Sequence, residues 1–150
     1  MAPAPPIPTY ALGTLCLGLG LHSFLAPKRE YARFGLPLEQ TSKPHRRPSS
    51  SARKAGGVAT AVSENGAVSP LVYLKAVREV TYGLSLILLQ YAGASDAAVT
   101  ITTAVISLAG LGDGLVVWAY GGADGRKRAW GHWAAFLGLS GWAWWRAKRM

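Results

Sequence analysis

Four stretches of this chain are apolar over bilayer-like lengths, and polar or turn-forming residues separate them. They run over about 7–26, 70–91, 96–120 and 129–145, beginning with IPTYALGTLCLGLGLHSFLA. At roughly 1.5 Å per residue, helices of about 17–25 residues reach across a hydrocarbon core of roughly 30 Å. The pattern predicts an all-α fold, a four-transmembrane-helix antiparallel bundle forming a single membrane domain over residues 1–150. Local signals set the boundaries. Pro27 stops the first helix, and Pro70 sits at a first-turn position of the second, where it does no harm. Gly93 and Ala94 make a short turn, and Ser95 is placed to cap the third helix.

The connections differ in character. PKREYARFGLPLEQ sets Tyr31 and Phe34 beside Lys28, Arg29 and Arg33, a strip suited to the headgroup level. Residues 40–69 turn to Ser, Pro, Gly, Ala and Arg, which predicts a long basic disordered loop between helices one and two. GGADGRKR, at 121–128, reads as a basic turn. Within the helices, Thr14, Gly18 and His22 share one face. Thr103, Ser107, Gly110 and Gly114 form another small-residue face, in the spacing that permits close helix approach. Trp130 and Trp133 at one end of the fourth helix, and Trp142, Trp144 and Trp145 at the other, are spaced like aromatic belts.

Composition agrees with a membrane setting. Apolar residues are 50% of the chain and charged residues only 15%, against about 25% charged in soluble domains. The formal net charge of +9 is not read as a nucleic-acid signature, because the basic residues gather between apolar segments and at the C-terminus, as the positive-inside bias distributes them. Loops 27–70 and 121–128 carry eleven Lys and Arg, against three at Arg146, Lys148 and Arg149. The bias therefore places the basic loops in the cytosol and both termini on the lumenal or extracellular side. The one cysteine, Cys16, offers no disulfide and no metal-ligand spacing. No cofactor and no metal are expected.

Candidate chemistry lies inside the helices. Lys75, Arg78 and Glu79 interrupt the second, Asp113 the third, and His22 and His132 stand about one turn from helix ends. In the antiparallel order these groups share one leaflet. A lone charge near mid-bilayer costs on the order of 3 kcal/mol on insertion scales, so Arg78 and Asp113 are expected to pair. Glu79 is expected to meet His132, or Lys75 one turn back. Tyr82 extends the same stripe. Glu79, Asp113 and His132 are the candidate catalytic groups, and Arg78, Tyr82, Trp118 and His22 the candidate ligand-binding ones. The simpler alternative is a structural polar clamp that fixes helix register.

KAVREVTYGLSLILL, LAGLGDGLVVWAYGG and AWGHWAAFLGLSGW together resemble the uncharacterised DoxX-like family of small four-helix membrane proteins. The matching positions are Arg78, Glu79 and Gly83, then Asp113 and Gly114, then His132, with Ala76 where the family often has glycine. The resemblance implies a bundle of unassigned biochemistry. Two functions stay open at this point. One is a membrane accessory or assembly factor. The other is a cofactor-independent membrane enzyme, of isomerase, cyclase or oxygenase type, acting on a lipophilic small molecule in a biosynthetic pathway. The expected partners are the lipid bilayer and such a molecule, a homo-oligomer is an open option, and no nucleic acid is expected.

Overall fold

The structure, a computed structural model, describes residues 5–38 and 67–150. The described residues form five α-helices and no strand: α1 (Ile7–Leu25), α2 (Pro27–Phe34), α3 (Leu71–Tyr91), α4 (Asp96–Tyr120) and α5 (Gly122–Ala147). The expected disordered loop lies outside the described residues, except for 67–69. The all-α class stands, with one helix more than the four expected. Pro27 ends α1 and also opens α2, and Gly35 closes α2 with φ +108°, so the proline and glycine bracket a short helix of their own. The segment expected as a turn at 121–128 is instead the start of α5. Gly122, at φ +66°, makes the corner. Asp124 occupies the first turn of the helix, where a carboxylate suits the positive end of the dipole. Ser95 caps α4 as expected, accepting a hydrogen bond from the Ala98 amide at 3.2 Å.

The helices assemble as two tight antiparallel pairs, α1 with α3 and α4 with α5. Fewer contacts join α3 to α4. Missing side chains make each pair tight. A Cβ on Gly83 would stand 2.6 Å from the Gly13 carbonyl oxygen, and one on Gly20 would stand 2.8 Å from that of Ala76. In the other pair, a Cβ on Gly110 would meet the His132 carbonyl oxygen at 3.0 Å, and Gly114 lies under the Trp133 indole. The Gly110–Gly114 face thus packs as its spacing predicts. The Thr14–Gly18–His22 face does not: Thr14 and His22 are exposed, and nothing lies within 4 Å of where Gly18 would carry a Cβ. Thr9, Gly13, Cys16, Gly20 and Ser23 are buried instead, because they are the residues that meet the small face of α3.

What is inside and what is outside runs against the habit of soluble cores. Small and hydroxyl-bearing side chains such as Ser23, Thr103 and Ser107 are buried, whereas Leu15, Leu21, Leu74, Leu88, Ile101, Leu108, Leu115, Leu137 and Trp144 are exposed. Among the described residues one helix, Asp96–Tyr120, is long and apolar enough to cross a membrane by length and composition, against the four spans expected.

The close α1–α3 contact gives a direct test. Gly83→Ala forces backbone against backbone and should cost roughly 1–3 kcal/mol of stability. Gly18→Ala meets open space and should be neutral or slightly stabilising. Thermal unfolding of the two variants under the same conditions separates them, and equal midpoints would contradict the packing described.

Candidate functional site

The site begins with the helical period of α3. Lys75, Arg78, Glu79 and Tyr82 recur at the three- and four-residue steps that stack on one face. The adjoining face of α3, with Ala76 and Gly83 about a quarter-turn round, is committed to α1. The polar stripe therefore turns towards α2 and α4.

There it completes an alternating chain of charges. Arg78 donates from Nη2 to Asp113 Oδ2 at 2.6 Å. Glu79 lies 4.0 Å from Arg78 and 3.6 Å from Lys75 Nζ. Lys75 donates to Glu30 Oε1 at 3.2 Å. Arg33 closes the chain with two bonds to Glu30, from Nη2 at 2.6 Å and from Nε at 2.9 Å. Three cations and three carboxylates thus alternate across α2, α3 and α4. Glu30 is only 1% exposed. Burial alone would raise its pKa, but the hydrogen bonds and positive charges of Arg33 and Lys75 outweigh that and hold its carboxyl below the usual value.

His132 joins from α5. Its Nε2 is 3.1 Å from the Phe34 carbonyl oxygen, and its ring meets the Phe34 ring edge-on at 4.8 Å. A carbonyl only accepts, so Nε2 carries the proton and the Phe34 oxygen at the end of α2 is satisfied. The pairing considered between Glu79 and His132 is not made; Glu79 takes Lys75 instead. The Gly35 carbonyl oxygen lies against α5 as well, 2.7 Å from where a Cβ on Gly125 would be. Short α2 is therefore the strut between the two helix pairs.

Beside this chain the pairs leave a partly open cavity of about 350 Å³. Glu79, Tyr82, Asp113 and His132 line it, and Leu15, Leu19, Ile106 and Leu139 supply apolar wall. A second hollow of about 290 Å³ lies against Arg78, again sharing Lys75, Phe34 and Asp113. Four of the seven candidate residues thus line one cavity and Arg78 the other. His22 and Trp118 line neither. His22 is exposed, and Trp118 stacks at 5.5 Å on Trp133 with Arg126 over its ring. Among the described residues no cluster of His, Cys, Asp and Glu could hold a metal ion.

A profile of a domain of unknown function, DUF4267, matches residues 13–146. The chain belongs to the DUF4267 family. No curated protein and no solved structure matches it. The matched span includes every residue of the ion chain and, Leu12 apart, the walls of both cavities. The DUF4267 match is to an uncharacterised family, as the resemblance implied; a relation to DoxX-like proteins is finer than the match reaches.

Sequence reasoning missed two features of this DUF4267 chain, one within the site and one away from it. One is the Glu30–Arg33 pair. Its signal was a lone acid three residues before an arginine, between a helix-opening proline and a helix-closing glycine. The other lies at the far end of α4 and α5. Arg146 is 2% exposed and donates to Asp96 at 2.8 Å and to the Thr100 hydroxyl at 3.0 Å. In the sequence it is one of three basic residues with Lys148 and Arg149, and nothing local sets it apart.

Glu30 carries a pH test. A carboxyl whose folded pKa is depressed contributes stability that is full above its unfolded value of about 4.5 and is lost as pH falls through the folded value. Glu30→Gln should lower stability at neutral pH by roughly 1–3 kcal/mol and flatten the acid limb of the stability curve. Circular dichroism against pH measures both, and an unchanged acid limb would remove Glu30 from the chain.

Proposed function

We propose that this DUF4267 protein is a four-span integral membrane protein that holds a lipophilic small molecule between its two helix pairs, in an accessory role. The cavity beside the ion chain carries the reading: about 350 Å³, apolar along the helices and polar at one end, within the size range of small-molecule sites. The bilayer setting is supported by leucines on the outer faces of α1, α3, α4 and α5 and small residues at their contacts, the arrangement that lipid favours. By the positive-inside bias the basic loops face the cytosol and the termini the lumen or exterior. Arg78, Glu79, Gly83, Asp113, Gly114 and His132 further support a DoxX-like relation. The accessory role is favoured because Glu79 and Asp113 are both paired with cations of the same chain, so neither carboxylate faces the cavity unaccompanied.

A second reading, a cofactor-independent enzyme of isomerase, cyclase or oxygenase type, has one observation in its favour. With Nε2 committed to the Phe34 carbonyl, Nδ1 is the ring nitrogen of His132 left for a ligand, and His132 and Tyr82 both line the cavity.

The binding reading is tested with a diazirine-bearing long-chain alcohol, photolysed on the full chain in phosphatidylcholine nanodiscs. Adducts should map to Leu19 and Leu139, and Ala135→Trp, which fills the cleft, should remove them. Labelling confined to outward leucines such as Leu21 and Leu88, or unaffected by Ala135→Trp, would end the proposal.

A further inference from the structure

The cleft contains one charge that the fold leaves without a counter-charge. Its walls include three carboxylates, Glu30, Glu79 and Asp113, and three cations, Arg33, Lys75 and Arg128. The carboxylates are already satisfied. Glu30 is bonded to Arg33 and Lys75, Glu79 lies within 4.0 Å of Lys75 and Arg78, and Asp113 is bonded to Arg78. Arg78 reaches the chain from the second hollow. Three acids are thus matched by Arg33, Lys75 and Arg78, and Arg128 is left over. Among the described residues it makes no ion pair and no side-chain hydrogen bond. Its stem is nevertheless held in place: Cβ and Cδ lie 3.2 and 3.3 Å from where Gly35 would carry a Cβ. Gly35 closes α2, so the Arg128 stem lies beside the strut, while the residue, like Lys127, is exposed. Arg33, at 53% exposed, brings a second guanidinium to the same cavity, with only Nε and Nη2 engaged by Glu30.

We propose that the molecule held in the cleft is an anionic amphiphile whose carboxylate or phosphate head is read by Arg128, with Arg33 beside it, and whose apolar body lies along Leu15, Leu19, Ile106 and Leu139. This rests on the binding reading above and adds the class of head group. A cationic head could reach Glu79 or Asp113 only beside the cations already paired with them, Lys75 and Arg78, whose like charge opposes it. A neutral head would leave Arg128 as it is. An anion adds a charge-assisted bond without breaking any, and guanidinium geometry suits both carboxylate and phosphate.

The test compares four ligands with one chain length, hexadecanoate, hexadecyl phosphate, hexadecanol and hexadecylamine, as competitors of the photoreactive alcohol on the full chain in phosphatidylcholine nanodiscs. Both anions, or either one, should compete about tenfold better than the alcohol, the step that one hydrogen bond to a charged group supplies, and the amine should compete least. Which anion wins identifies the head as a fatty-acid carboxylate or a phosphate. Arg128→Gln should bring the anions to the level of the alcohol and leave the alcohol unchanged. Lys127→Gln, an exposed neighbour that does not line the cleft, should change nothing. Equal competition by alcohol and anions overturns the head-group assignment and leaves the lipophile reading standing. So does a Lys127→Gln loss as large as that of Arg128→Gln, which would make the preference a general surface-charge effect. Failure of all four ligands, together with no cleft labelling, overturns both readings.

Discussion

The interaction on which the site depends is the alternation of six charges from Arg33 through Glu30, Lys75, Glu79 and Arg78 to Asp113. Each interior member has opposite charges on both sides, so the chain is neutral along its length. A buried pair gains little over apolar packing, but losing one partner leaves an uncompensated charge. The chain therefore acts less as glue than as a constraint on position. It spans α2, α3 and α4, and the bond from His132 to the Phe34 carbonyl ties in α5. Shifting α2 by one residue would remove Glu30 from Lys75 and misalign Gly35 against Gly125 together.

That constraint explains why the cleft stays open. Glycine brings α1 close to α3 and α4 close to α5, but glycine packing within each pair does nothing to bring the pairs together. Salt bridges and the strut hold the pairs at a fixed separation, and the space between them is the cavity. Its polar end and apolar walls are by-products of where the ion chain must sit. The opposite end of the α4–α5 pair is fastened separately, by Arg146 on Asp96 and Thr100.

Much of this was legible in the sequence. Arg78 and Asp113 are lone charges in apolar runs at matched depths, so an antiparallel order was enough to pair them. Ser95 and the Gly110–Gly114 register follow from local rules. The remainder depended on partners distant in sequence. Glu30 lies among Lys28, Arg29 and Arg33 and looks like surface until Lys75, 45 residues later, is placed against it. On α1, two small-residue stripes compete, and only the positions of Ala76 and Gly83 select the one with Gly13 and Gly20. Gly125 sits in a segment that resembles a turn, yet its missing side chain makes room for the Gly35 carbonyl. Arg146 is hidden by its basic neighbours, since nothing local distinguishes a buried arginine from an exposed one.

The two pairs also differ in how soon they can form. Helices α4 and α5 are joined at a single glycine corner, so their contact closes almost no loop. Helices α1 and α3 are neighbours in space although α2 and residues 35–70 lie between them. Closing the longer loop carries the larger entropic cost. On the ribosome α1 must also wait, without its partner, until α3 has been translated. Gly13, Gly20, Cys16 and Ser23, buried in the finished fold, are uncovered during that interval.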